Sequence, residues 1–158
     1  MTHCMLKAID THAHLDHVEN VEQSLLDAAA AGVESIVAPG MDLPSMQKNL
    51  VLKKNISSPQ IYIGLGIHPA NIVLEQVEAT ITFMREHVSE AHAIGEIGLD
   101  FWYKWVRKDD LKKEEQRQVF RRQLALAKEY DLPVVIHSRG TWRECLDTAK
   151  EMEIRKAV

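Results

Sequence analysis

Apolar positions along this chain switch repeatedly between a period of two and a period of three to four residues. Short runs at Ala8–Leu15, Ser35–Pro39, Ile61–Ile67, Ala93–Leu99 and Pro133–His137 read as strands. Between them lie helical repeats. Val21, Leu25 and Ala28 share one face of a helix over Val21–Ala31, with Gly32 as its stop. Leu43–Asn55 reads as a second helix, and Val77, Ile81, Met84 and Val88 repeat at the spacing of a third. Leu111–Tyr130 turns Phe120, Leu124 and Ala127 inward and a dense charge load outward. Thr141–Glu153 places Trp142, Leu146 and Ala149 on one face, and Arg155–Val158 opens a sixth strand.

Strands alternating with helices imply βαβ units and a parallel sheet. Right-handed crossovers then give a doubly wound sheet or part of a (β/α)8 barrel. The polar residues favour the barrel. His12 and His14 end the first strand, His68 follows the third, Glu96 and Asp100 end the fourth, and His137 and Arg139 end the fifth. In a barrel such ends converge on one catalytic face; along an open sheet they spread out, and only the switch point is useful. The expected fold is therefore α/β, a parallel TIM barrel that is incomplete. A single partial domain over residues 1–158 would hold about five βα units and the start of a sixth strand. A whole barrel takes about 250 residues. The sequence is expected to be part of a barrel, or a half-barrel whose open edges a second copy covers as a dimer.

Composition changes this picture little. Of 158 residues 46% are hydrophobic and 27% charged, and the net charge is −4, so bulk charge gives no argument for nucleic acid. Cys4 and Cys145 form no CxxC; a reducing cytosol fits, although the two could pair. No apolar run is long enough to span a membrane, and the first strand begins too early for a signal peptide. The expected location is cytoplasmic.

The candidate chemistry begins at His12-Ala-His14. On a strand, residues two apart face the same way, so Asp10, His12 and His14 would project together. Two neutral imidazoles on one face can hold a divalent metal, although two histidines two apart also arise by chance. Glu96 sits in Gly95-Glu96-Ile97-Gly98-Leu99-Asp100. Glycine weakens a strand interior unless something approaches closely, and a carboxylate bridging two metals is one such case. The alternative is a lone glutamate in a surface turn. His137 ends a fully apolar strand and reads either as a ligand or as a hydrogen-bonded core histidine. Arg139 could grip a phosphate oxygen with its planar fork, or form an ordinary ion pair. His68, between Gly66 and Pro69, lines a substrate space or a plain turn. Trp102, Tyr103 and Trp105 interleave with Lys104, Arg107 and Lys108. Stacking rings plus cations suit single-stranded nucleic acid, but the same rings could pack on the barrel rim.

Taken in order, several segments resemble the TatD family of metal-dependent deoxyribonucleases. They are Asp10-Thr-His-Ala-His-Leu-Asp16, Gly66-Ile-His-Pro69, Gly95-Glu-Ile-Gly-Leu-Asp100, Gln116-x-x-x-Phe120 with Gln123-Leu124-x-Leu126-Ala127, and Leu132-Pro-Val-Val-Ile-His-Ser-Arg139. The resemblance implies a TIM barrel of the amidohydrolase type, a pair of divalent metal ions and phosphodiester hydrolysis on DNA. It makes His12 and His14 ligands of a first metal, Glu96 the bridge and His137 a ligand of a second. His68 would line the substrate pocket; the residues themselves, not the resemblance, add Arg139, Trp102 and Lys104 as substrate-binding candidates. The family's further ligand histidine and its aspartate base fall past Val158, so the catalytic base is expected outside this sequence. Imidazole and carboxylate suit Mg, Mn or Zn. Two other readings stay open: an amide or ester hydrolase on the same barrel, including cleavage of aminoacyl-tRNA esters, and a non-catalytic half-barrel that binds nucleic acid.

Overall fold

A computed structural model describes residues 7–158, so Cys4 lies outside the described residues. Five strands run parallel in the order β1-β2-β3-β4-β5: β1 Ala8–Asp10, β2 Val33–Pro39, β3 Gln60–Leu65, β4 Ala93–Asp100 and β5 Val134–Arg139. Each neighbour in space is the neighbour in sequence. With helices filling the connections, this is the order of a curling barrel wall, and the sheet forms half of one. The helices are α1 Val21–Ala30, α2 Leu43–Asn55, α3 Leu74–Glu86, a short α4 Lys104–Arg107, α5 Asp110–Glu129 and α6 Trp142–Glu151. The expected sixth strand begins where Val134 N–H donates to the Lys156 carbonyl and Val158 N–H to the Val134 carbonyl.

Local chemistry explains the boundaries. Asp42 caps α2 by accepting the Ser45 N–H while the Ser45 hydroxyl accepts the Asp42 N–H, a reciprocal capping box with Pro44 in the first turn. Asp109 caps α5 through the Lys112 N–H. β4 is buried along its whole length, and Ile94, Ile97 and Leu99 join Phe120, Leu124 and Ala127 of α5 in the core. Burying such side chains contributes about 1.5–3 kcal/mol each and holds β4 against α5.

Two expectations need correction. β1 stops at Asp10 rather than running to Leu15, because Asp10 Oδ1 accepts the His12 N–H at 3.0 Å and turns the chain out of the ladder. On α6, Trp142 and Leu146 are exposed; the buried face is Cys145, Thr148 and Ala149. The Arg143 guanidinium lies over the Trp142 ring, which accounts for that ring on the surface.

Two glycines allow the close approaches that bring the strand ends together. A Cβ on Gly66 would lie 2.6 Å from the Gly95 carbonyl carbon, so β4 and the segment after β3 touch backbone to backbone. Gly98, at φ +147°, sits where a Cβ would collide with the His137 carbonyl oxygen on β5.

Candidate metal centre

Although β1 ends early, the Asp10 turn still delivers two imidazoles to one point. Ala13 N–H donates to the Val37 carbonyl of β2 at 2.9 Å, holding the turn against the sheet. His12 Nε2 and His14 Nε2 lie 3.2 Å apart. Their convergence comes from this turn and not from strand parity. Asp10 is spent on the His12 backbone and stays exposed.

Glu96 rises from the middle of β4 and is nearly buried. Its Oε2 lies 3.1 Å from His12 Nε2 and 3.3 Å from His14 Nε2. Its Oε1 lies 3.0 Å from His137 Nδ1. One carboxylate thus faces two histidine groups, one through each oxygen. His68, on the turn after β3, meets the second group: its ring packs edge-on against His137 with centroids 4.3 Å apart. His12, His14 and Glu96 form one cluster of donor atoms, and His68, Glu96 and His137 another, each within 4.8 Å.

The donor set fits a divalent cation. Bonds of about 2.1 Å at angles of about 90–109° put ligand atoms about 3.0–3.4 Å apart, which matches the three separations at His12, His14 and Glu96. Protonation agrees. Burial lowers the His14 pKa, keeping a neutral imidazole. Burial alone would raise the Glu96 carboxyl, but the His137 hydrogen bond and the surrounding imidazoles outweigh it and hold it down to about 2. Burial also acts to lower His137, but its hydrogen bonds to Glu96 and Asp100 prevail and raise its pKa. Burial and the neighbouring His137 push His68 down to about 4.

A family model described as TatD related DNase matches residues 9–158. The chain belongs to that family. Among the relatives of this TatD chain is the protein named uncharacterized metal-dependent hydrolase YabD of Bacillus subtilis. It is 36% identical over 149 residues, covering 90% of this chain and 54% of the relative. The human deoxyribonuclease TATDN3 is 29% identical over 162 residues, covering 95% of this chain and 58% of the relative. The crystal structure of YjjV, a TatD homologue from Escherichia coli, superposes with a TM-score of 0.78 at 32% identity. That match covers 92% of this chain and 56% of that one. The chain therefore spans little more than half the length of these relatives.

The aromatic loop of the TatD chain lies beside the His137 end of the cluster. The Trp102 N–H donates to Asp100 Oδ1 at 3.0 Å, and Tyr103 stacks on Trp105 with centroids 5.4 Å apart. Trp102 and Trp105 are 65% and 52% exposed, and Lys104 is exposed too, so these side chains do not pack away on the rim. The loop winds through α4, a turn of helix the sequence pattern does not announce. Arg139 lays its guanidinium over Tyr103 at 4.4 Å while its Nε sits on Asp100.

Three residues brace the site: Asp100, which the sequence marks only as a strand end, and Gln116 and Gln123, which it marks only as motif positions. Asp100 is fully buried and bonds His137, Arg139 and the Trp102 backbone. Gln116 accepts the Asp100 N–H at 2.8 Å and donates to the Asp100 and Pro69 carbonyls. Gln123 accepts the Ile67 N–H at 2.7 Å and donates to the Ile67 carbonyl, fixing the residue before His68. The signal for the two glutamines is their place inside the apolar stripe of α5, alongside Phe120 and Leu124. A buried amide there needs a partner across the interface.

Proposed function

We propose that this chain carries the metal-binding half of a phosphodiesterase acting on DNA through two divalent ions, Mg, Mn or Zn. The observation that carries this reading is Glu96: one oxygen faces the His12–His14 pair and the other faces His137. Such a carboxylate could serve two cations, one through each oxygen. The name of the TATDN3 relative favours DNA as the substrate class.

When bound, the ions would supply Lewis acidity at a phosphate and lower the pKa of a water. His12 and His14 would hold the first, His137 the second, and Glu96 both. The residues of the chain then divide the remaining work. His68 accepts the Ala70 N–H on Nδ1 at 3.1 Å, and its low pKa keeps the ring neutral, so its proton sits on Nε2. It would donate that proton as a hydrogen bond to a phosphate oxygen without adding charge. Arg139 uses Nε on Asp100, and the other end of its fork would meet a second phosphate. Trp102 would offer a stacking surface to a base and Lys104 a charge to the backbone. Among the described residues no helix is long and apolar enough to cross a membrane.

The test is hydrolysis by the full-length protein of single-stranded and duplex DNA, with each metal and with a chelator. Cleavage that needs metal and is lost in His12→Ala supports the reading. Metal-dependent release of amino acid from aminoacyl-tRNA, with DNA left intact, would replace it with the ester hydrolase.

A further inference from the structure

We propose that Asp100 is the positioning residue of the His137 side of the metal centre. By accepting the Nε2 proton of His137 it presents Nδ1 to Glu96, and it ties the same ring to the aromatic loop. The inference rests on the metal-centre reading above. It concerns what holds the ligand, not the ligand itself.

The bonding of Asp100 leaves it no other role. Its Oδ2 lies 3.0 Å from His137 Nε2. The Arg139 Nε lies between its two oxygens, 2.9 Å from Oδ2 and 3.1 Å from Oδ1. Oδ1 also accepts the Trp102 N–H at 3.0 Å. The carboxylate is wholly buried, and these donors occupy both oxygens. A buried carboxylate must be compensated, and Arg139 supplies the opposite charge. A cation at Asp100 would have to displace three donors.

The backbone of Asp100 is held as firmly. Gln116 Oε1 takes its N–H and Gln116 Nε2 reaches its carbonyl, so α5 clamps the end of β4. His68 closes one face of the His137 ring. A metal-bound imidazole needs its other nitrogen to carry the proton and donate it, and a carboxylate partner there fixes the tautomer and the ring angle. His137 has that arrangement, with Nδ1 on the Glu96 side and Nε2 on the Asp100 side. The first cluster differs: His14 Nδ1 is buried with no hydrogen-bond partner among the described residues. The second position is thus oriented before metal arrives, through a chain of contacts that begins at Trp102 and Tyr103 on the loop surface.

A merely structural Asp100–Arg139 ion pair would affect stability and leave the ring nitrogens of His137 alone, so the test reads those nitrogens. In the full-length protein loaded with zinc, long-range nitrogen–proton correlation spectra should show His137 Nδ1 bonded to zinc and Nε2 protonated. By calorimetry Asp100→Asn should weaken zinc binding about 10- to 100-fold at one site and leave the other unchanged. Zinc on His137 Nε2, or wild-type binding by the Asn variant, would overturn the positioning role alone. Zinc that leaves the His137 resonances unmoved would overturn the metal-centre reading and this inference with it. The wild-type spectrum decides the matter even if Asp100→Asn does not fold.

Discussion

Gln116→Leu tests whether buried amides of α5 hold the site. Leucine nearly matches glutamine in volume and suits the apolar stripe beside Phe120 and Leu124, so packing changes little. What changes is hydrogen bonding. The Asp100 N–H loses an acceptor at 2.8 Å, and the Pro69 and Asp100 carbonyls lose donors at 3.3 and 3.2 Å. A buried group left without its partner costs about 1–3 kcal/mol, with the N–H at the upper end and the two longer contacts at the lower. The sum is about 5 kcal/mol, offset by about 1 kcal/mol of apolar transfer. The net loss of about 4 kcal/mol corresponds to a fall in Tm of roughly 8–16 °C for a protein of about 150–250 residues. Thermal unfolding followed by circular dichroism measures it. Gln118→Leu, on the exposed face of the same helix, serves as the control and should stay within about 0.5 kcal/mol of wild type. Equal midpoints for the two variants would refute the bracing role.

Other outcomes follow from the same geometry. Gly98→Ala should cost about 2–4 kcal/mol by combining a strained φ with a clash against the His137 carbonyl; a urea midpoint matching wild type would show that β4 and β5 separate freely. Acid should destabilise the metal-free protein in two stages. His68 titrates near 4 folded against 6.5 unfolded, so its contribution is present above pH 6.5 and is lost as pH falls toward 4. Glu96 contributes above pH 4.5 and loses that contribution as pH falls toward 2. His137, with its raised pKa, acts in the opposite sense, contributing below pH 6.5 and less as pH rises through its folded value. Replacing His68 by Gln should flatten the Tm profile between pH 6.5 and 4, and an unchanged slope would contradict the assignment. Trp105→Ala should weaken single-stranded DNA binding by the full-length protein about tenfold, since stacking one base is worth about 1–3 kcal/mol, with Tm and metal content unchanged. A lowered Tm at wild-type affinity would instead make the ring structural.

Much of the architecture is legible because the strands and helices of a parallel α/β fold differ in period. The site is legible where glycines betray close approach, as around Glu96. It is less legible where a side chain overrides a pattern. Asp10 bonds the chain just after it and ends β1 early, so the right pair of histidines converges for a different reason. Trp142 looks like core by spacing but lies under Arg143 at the surface. The role of Asp100 depends on β5 and α5 arriving beside it, and no local pattern records that meeting.

In the proposed centre His12 and His14 would hold one cation, His137 the other and Glu96 both. Anomalous diffraction from crystals of the full-length protein grown with manganese tests it most directly. Two manganese peaks beside Glu96 are expected. One should contact His12 and His14 and the other His137. Manganese bound elsewhere, with these four side chains free of it, would contradict the account.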